Sequence, residues 1–135
     1  MSSIVFDPTI EGLARTLTLH QQRHAVLASN LANVETPGYR ARELDFQDAL
    51  KEAFEETSGG SGERTDGHAT IALASPNRAP QVVEDKTAPR RADGNTVDLD
   101  MQMAKLNGNG TSYLALARIL GRRVALLRQA IEGTR

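Results

Sequence analysis

Two long heptad patterns, one near each end of the chain, constrain the fold most strongly. In each pattern the spacing between successive members alternates between three and four residues, which is typical of a helix that packs along a seam against another helix. The first pattern consists of Ile10, Leu13, Leu17, His20, His24, Leu27 and Leu31. The second consists of Leu99, Met103, Leu106, Gly110, Tyr113, Ala117, Leu120, Val124, Leu127 and Ile131. We therefore predict an all-α fold whose N-terminal helix (residues 8–34) and C-terminal helix (residues 96–132) pack as a coiled-coil-like hairpin.

The large apolar members of both patterns are the predicted packing residues, either against the other helix or against a neighbouring subunit. They are Leu13, Leu17, Leu27, Leu31, Leu99, Met103, Leu106, Tyr113, Leu120, Val124, Leu127 and Ile131. Asp7 followed by Pro8 predicts the start of the first helix, and Asn95 or Asp98 is the expected cap of the second. One conflict lies inside the second pattern, where residues 107–110 read NGNG. Each glycine costs a helix about 1 kcal/mol relative to alanine, so we expect a kink or a frayed turn there.

The middle of the chain predicts little regular structure. Residues 35–56 are expected to form a turn and a short third helix from Phe46 to about Glu56, capped by Asp45, with apolar residues on one face. Residues 57–95 are expected to be a flexible segment, because its first part is rich in glycine and serine. Short strand candidates in it are ATIALAS (residues 69–75) and QVVE (residues 81–84). No repeat or second domain is evident, so residues 1–135 are interpreted as one domain.

The stretch that follows the first heptad pattern carries more polar groups than a simple helix stop requires. Pro37 blocks helix continuation and biases Thr36 away from the α region, and Pro37 with Gly38 fits a type II turn. Asn30 and Asn33 are not explained by that turn, because asparagine is a mediocre helix former. Their position near the seam predicts hydrogen bonds across a helix–helix interface.

Nothing in the composition or the motifs indicates an enzyme. The net charge of −1 gives no general attraction to nucleic acids or anionic membranes, and the absence of cysteine excludes disulfides and thiolate metal sites. His20 and His24 have a spacing that can hold a metal, but the third ligand is missing, and His68 lies in the middle segment. They are better interpreted as polar seam positions. We predict no catalytic, cofactor-binding or metal-binding residues, and no nucleic-acid or small-molecule partner.

Charge is unevenly distributed along the chain. Acidic residues outnumber basic ones in residues 35–56, whereas residues 112–135 are rich in arginine. Two interpretations are open: two solvated helix faces, or contacts between acidic and basic surfaces of neighbouring subunits. The N-terminus lacks the basic and apolar regions of a cleavable secretory signal, so export, where it occurs, is expected to use another route.

Two stretches of the sequence resemble known proteins. SNLANVETPGYRARELDF is similar to the N-terminal motif of flagellar rod and hook axial proteins. The residues that match this motif are Asn30, Leu31, Ala32, Asn33, Thr36, Pro37, Gly38, Tyr39 and Arg40. GNTVDLDMQMAKL, with the heptad pattern that follows it, resembles the C-terminal segment of a proximal rod protein of the same family.

The resemblance implies a structural subunit of the proximal rod of the bacterial flagellar basal body. Such a subunit polymerises through its terminal helices and connects the membrane rotor ring to the distal rod and hook. Its implied partners are other copies of itself, neighbouring rod subunits, the rotor-ring junction protein and the flagellar type III export apparatus. Its implied location is the rod in the periplasmic space, reached without a cleaved signal peptide. The resemblance also implies an export element at Phe46 and Leu50, although the same pair fits an ordinary core contact.

Two alternatives are open at this point. The chain is either another subunit of the proximal rod, or a coiled-coil adaptor that binds one partner and does not polymerise. The block GNTVDLD argues against another subunit of the proximal rod and favours the rod protein whose C-terminal segment it resembles.

Overall fold

The computed structural model describes residues 8–51 and 80–133. In chain order the elements are helix α1 (Pro8–Ala32), strand β1 (Arg42–Leu44), the short helix α2 (residues 46–51), strand β2 (Val82–Glu84) and helix α3 (Leu99–Glu132). The predicted architecture is confirmed: two long terminal helices dominate the fold, with a short third helix and two short strands between them. The continuation of α2 that the sequence predicts, to residue 56, lies outside the described residues.

Helices α1 and α3 pack side by side and run in opposite directions. Asn30 contacts Gln102 on α3, whereas His20, ten positions earlier on α1, contacts Asn109, seven positions later on α3. The buried apolar side chains of α1 are Leu13, Leu19 and Leu27. Because α3 has 34 residues and α1 has 25, α3 is longer than its partner by more than two helical turns.

The start of α3 is set by Asp98. Its side chain accepts a hydrogen bond from the backbone N–H of Met101 at 3.1 Å, which is the geometry of an N-cap. Asp98 is therefore the cap among the two candidates, and Asn95 has a different role described below. Pro8 is the first residue of α1, as predicted, and Asp7 lies outside the described residues.

The frayed turn expected at residues 107–110 is wrong, because α3 runs without interruption from Leu99 to Glu132. The reason lies in the buried side chain of Asn109. Its Nδ2 donates to the backbone oxygen of His20 at 2.9 Å, and its Oδ1 accepts from His20 Nδ1 at 2.7 Å. These two buried bonds hold the turn against α1. They offset the roughly 2 kcal/mol that two helical glycines cost. The expected kink stays a prediction.

The strands form a two-stranded antiparallel sheet beside the helices. Arg42 pairs with Glu84, Glu43 with Val83 and Leu44 with Val82. Strand β2 confirms the candidate QVVE, whereas β1 falls in residues expected to form only a turn and a helix. The other strand candidate, residues 69–75, lies outside the described residues. Leu44 on β1 is buried and packs the two-stranded sheet against the helices.

Candidate functional site: a polar junction between the two motifs

The two stretches that carry the family resemblance meet at the end of the helical hairpin where α1 ends and α3 begins. Their contact is made by five residues, Asn30, Tyr39, Asn95, Thr96 and Gln102, which we call the polar junction. Asn30 and Asn95 are completely buried and Gln102 is 1% exposed. In the described part of the chain, no buried side-chain nitrogen or oxygen lacks a hydrogen-bond partner. Burial of this many amides is tolerable only because each is satisfied.

Asn30 acts as a side-chain substitute for a β-strand partner. Its Oδ1 accepts from the backbone N–H of Arg42 at 2.9 Å, and its Nδ2 donates to the backbone oxygen of Arg42 at 2.6 Å. The same Nδ2 donates to Gln102 Oε1 on α3 at 3.1 Å, and Tyr39 donates its hydroxyl to Asn30 Oδ1 at 3.4 Å. One amide therefore joins α1, β1 and α3.

Asn95, from the other motif, holds the turn that follows α1. Its Nδ2 donates to the backbone oxygens of Asn33, Val34 and Thr36 at 3.0, 3.0 and 2.8 Å. These three carbonyls belong to the turn that follows α1, which ends at Ala32. A residue about sixty positions away therefore supplies a hydrogen-bond donor to backbone groups of this turn. Oδ1 of Asn95 in turn accepts from Val97 N at 2.7 Å.

Backbone bonds align the two motifs like short strands. Gly38 N donates to Asp93 O at 3.0 Å, and Thr96 N donates to Tyr39 O at 3.0 Å. Thr96 Oγ1 accepts from Ala41 N at 2.8 Å. Gly38 has φ +72°, and Tyr39 N donates to Thr36 O at 3.2 Å. These features fit the type II turn predicted from Pro37 and Gly38.

The two asparagines that the sequence singled out have different roles. Asn30 bonds across the α1–α3 interface, as predicted, and that interface lies within one subunit. Asn33 instead bonds inside its own turn: Nδ2 donates to Ser29 O at 2.8 Å, and Oδ1 accepts from Thr36 Oγ1 at 3.2 Å. Both amides therefore find partners in the same chain.

Next to the junction, an ionic cluster links four elements of the fold. Glu43 on β1 pairs through Oε1 with Arg23 Nε of α1 and through Oε2 with Lys105 Nζ of α3, both at 2.9 Å. Lys105 also pairs with Asp85, the residue after β2, at 2.9 Å. The ion pairs of the cluster connect the two-stranded sheet to both long helices.

The cluster shifts the pKa values of its members. Burial raises the pKa of Glu43, but hydrogen bonds and charge from Arg23 and Lys105 outweigh burial and bring the pKa below its ordinary value. Burial likewise raises the pKa of Asp85, and bonds from Thr87 and Lys105 lower it overall. Burial lowers the pKa of Lys105, whereas its two carboxylate partners raise it above the ordinary value. All three groups are therefore stabilised in their charged forms.

Phe46 lies at the edge of this cluster. Its ring is 4.7 Å from that of His20, and Arg23 Cζ lies 5.2 Å from its centroid. A shallow open cleft runs from Phe46 to Val83. Leu50, also on α2, is half-buried. The role of Phe46 and Leu50 in export stays a prediction.

The two histidines do not converge. His20 is buried and bonded to Asn109, whereas His24 is exposed. Among the described residues, no group of three or more histidine, aspartate or glutamate side chains is arranged to hold a metal. None of the described helices carries an apolar stretch that would cross a bilayer.

Comparison with known proteins agrees with the two motifs. The family model described as "Flagella basal body rod protein" matches residues 10–40, which cover α1 and the turn after it. The flagellar basal body rod protein FlgB of Salmonella typhimurium is 31% identical over 131 residues, with 94% of this chain and 95% of that protein covered. FlgB of Cereibacter sphaeroides is 34% identical over 121 residues, covering 89% and 91%. The chain belongs to the FlgB family.

Membership of the FlgB family makes the chain a flagellar basal body rod protein. FlgB of Escherichia coli is also similar, at 30% identity with 85% of this chain and 87% of that protein covered. These relatives are all FlgB proteins, so they argue against the alternative that the chain is another type of rod subunit. Relatives that are rod proteins agree with a structural role rather than a catalytic one.

The predicted packing residues of this FlgB-family chain divide into three groups by burial. Leu13 and Leu27 are buried, and partly buried positions are Leu17, Leu31, Leu106, Tyr113, Leu120 and Leu127. Exposed positions are Leu99, Met103, Val124 and Ile131. The role of the exposed group in packing between subunits stays a prediction.

Three residues of the FlgB junction were not predicted from the sequence in this role. Thr96 and Gln102 were not predicted at all, and Asn95 was predicted only as a helix cap. A signal for Gln102 does exist: Gln102 and Asn109 are seven residues apart and fall on the same face of α3. In an antiparallel helix pair, Gln102 would lie opposite Asn30. Asn109 would then lie opposite His20. Polar residues at these matching positions indicate a polar seam between the helices.

Proposed function

We propose that this FlgB-family chain is a structural subunit of the proximal rod that polymerises through its terminal helices. In this role it connects the membrane rotor ring to the distal rod and hook. The proposal rests mainly on one observation, the exposed apolar surface of α3. Side chains between 45% and 63% exposed are Leu99, Met101, Met103, Leu114, Ile119, Val124, Leu126 and Ile131. Exposed groups of large apolar side chains on a soluble protein mark contact surfaces for other proteins.

The positions of these side chains favour several neighbours over one. At 3.6 residues per turn, Leu99, Met103 and Val124 fall on one side of α3, whereas Ile119 and Leu126 fall about 150° or more around the helix from that side. Helix α1 covers a third side, through Gln102 and Asn109. An adaptor with a single partner needs one apolar face. A subunit inside a helical assembly is contacted on several sides, and repeated heterologous contacts generate an open helix.

The polar junction supports the same role by making each subunit rigid. It fixes the angle between α1 and α3 through buried hydrogen bonds rather than through a seam of interchangeable apolar contacts. Transmission of torque requires that the subunits not deform, and satisfied buried networks specify one packing. The junction is therefore interpreted as an internal lock of the rod subunit.

The proposed partners are other copies of the chain, neighbouring rod subunits and the rotor-ring junction protein. We further propose that the flagellar type III apparatus exports the chain without a cleaved signal, so that it assembles in the periplasmic space. The paired substitution Phe46→Ala with Leu50→Ala tests the export element and should leave the chain in the cytoplasm. Unimpaired secretion of that variant would refute the assignment of those two residues.

The proposed function is tested by deleting the gene and complementing it with a tagged copy. Deletion should abolish swimming, complementation should restore it, and the tagged chain should be present in purified basal bodies as several copies per particle. Normal swimming after deletion, or absence of the chain from basal bodies, would contradict a rod role. Recovery with a single soluble partner and no basal-body material would favour the adaptor.

A further inference from the structure

One side of α3 carries a line of exposed polar side chains. We define the polar strip as Asp100, Asn107, Thr111, Arg118 and Arg122, which are separated by alternating steps of seven and four residues. All five are exposed. Gln102 is buried against α1 and lies two positions after Asp100, which is about 200° around a helix. The polar strip therefore faces away from α1.

The two ends of the strip carry opposite charges. Asp100 lies at one end, and Arg118 and Arg122 lie at the other. A rise of 1.5 Å per residue places the aspartate roughly 27 to 33 Å from the two arginines along the helix. Within residues 8–51 and 80–133, these three side chains make no ion pair. Because all three residues lie on one helix, Asp100 cannot reach Arg118 or Arg122 of the same chain.

Apolar and small side chains border the strip. Met103 and Leu114 lie on one side of it and are 45% and 57% exposed. Ala104 and Ala115 lie on the other side and are also exposed. Exposed apolar side chains next to polar and charged ones are typical of a protein–protein contact surface, in which an apolar patch has a polar rim.

We propose that the polar strip docks against the strip of a second copy of this chain. The two α3 helices then run parallel with an axial offset of about 30 Å, so that Asp100 of one copy meets Arg118 and Arg122 of the next. This inference rests on the proposed polymerisation and adds the partner surface and the direction of stacking. Opposite charges at the two ends make each copy complementary to the next.

The parallel arrangement is distinguished from an antiparallel one by closure. In an antiparallel pair the same charges meet twice across a two-fold axis, and the contact ends with a dimer. In a parallel offset pair each copy leaves one end of its strip open for a further copy. Because an open helix requires contacts that repeat, the parallel arrangement is the one that fits a rod.

Charge reversal tests the pairing in the complemented deletion strain. Asp100→Arg alone, and Arg118→Asp with Arg122→Asp, should each reduce the chain in purified basal bodies by at least about tenfold, since like charges then face each other. Combining all three substitutions should restore incorporation to within about threefold, because the pairing is reversed but complete. Thermal melting of each purified variant checks that the fold is retained.

Arg128→Asp is the matched control. Arg128 lies on the same helix but pairs with its own Glu132 at 2.8 Å. Its reversal should leave incorporation nearly unchanged, and an equal loss there would overturn the assignment to the strip. Failure of the combined variant to recover, after both partial variants fail, would show that the strip contacts a different partner. Absence of the unmodified chain from basal bodies would instead contradict the proposed function itself.

Cysteine crosslinking tests the direction, and the natural chain has no cysteine to interfere. In the variant Ala104→Cys with Ala125→Cys, the parallel offset brings the thiol at position 104 of one copy next to the thiol at position 125 of another. The charged residues of the strip are unchanged. Oxidation of assembled rods should give a ladder of trimers and larger species. Ala104→Cys with Ala115→Cys suits the antiparallel pair and should give no crosslinks. Dimers from the second variant, or no ladder from the first, would overturn the parallel arrangement.

Discussion

The side-chain amide of Asn30 donates to the side-chain oxygen of Gln102 at 3.1 Å, in a position where neither residue is reached by solvent. This bond joins the two stretches of sequence by which the chain resembles flagellar rod proteins. It also joins the two long helices. The motif of the N-terminal helix is therefore completed by residues that lie about seventy positions further along the chain.

Replacement of Asn30 should destabilise the subunit more than replacement of Asn33. Asn30→Ala removes both bonds to Arg42 and the bond to Gln102, and leaves these buried groups without partners, which we expect to cost about 2 to 4 kcal/mol. Asn33→Ala removes bonds within one exposed turn and should cost less than about 1 kcal/mol. Urea denaturation of the purified chain measures both. Equal losses would contradict the central position of Asn30.

The contrast between these asparagines shows how far the sequence could predict the site. Heptad spacing is a local property, so it predicted both long helices. The role of Asn30 depends on which groups lie next to it in the folded chain, and the neighbouring sequence does not predict those groups. The glycines of residues 107–110 indicated a break for the same reason, because the bonds from Asn109 to His20 that support the turn are tertiary. Strand β1 was missed because a three-residue strand carries almost no periodicity.

Two glycines should respond to alanine in opposite directions. A Cβ added to Gly110 meets no atom within 4 Å, so Gly110→Ala should stabilise the isolated subunit by about 1 kcal/mol through helix propensity. Gly94 has φ +83°, a left-handed conformation that residues with a Cβ rarely adopt. Gly94→Ala should therefore cost at least about 1 to 2 kcal/mol. Thermal denaturation followed by circular dichroism measures both, and destabilisation by Gly110→Ala would show that the helix tolerates no side chain there.

Stability should fall at acid pH because of the ionic cluster. The folded-state pKa values of Glu43 and Asp85 are lowered, so their contribution is present above the unfolded values, near pH 4, and is lost as the pH falls through the folded values. The raised pKa of Lys105 works in the other direction. Its contribution is present below the unfolded value and is lost as the pH rises through the folded value. The cluster should therefore contribute fully between about pH 6 and pH 9.

The variant Lys105→Met isolates this contribution. It should lower the urea midpoint at pH 7 and make the midpoint less sensitive to pH between 7 and 3, because two lowered carboxyl pKa values move back toward ordinary ones. Arg128→Met is the control, since Arg128 and Glu132 form an exposed pair. The cluster would lose its assigned role if both variants showed the same pH dependence as the unmodified chain.

A charge introduced into the packing seam of α3 should disturb both the folding of the subunit and its assembly, whereas a change on the polar strip should disturb assembly alone. Leu120 is half-buried, and at 3.6 residues per turn it shares the side of α3 that carries Gln102 and Asn109 toward α1. Leu120→Asp therefore places a carboxylate in an apolar contact and should abolish swimming and incorporation into basal bodies. Gln22→Asp, at an exposed position of α1, introduces the same charge on the other helix and should leave swimming close to normal. Swimming at the normal rate by the Leu120→Asp strain would show that this part of α3 is not a packing seam, within the subunit or between subunits.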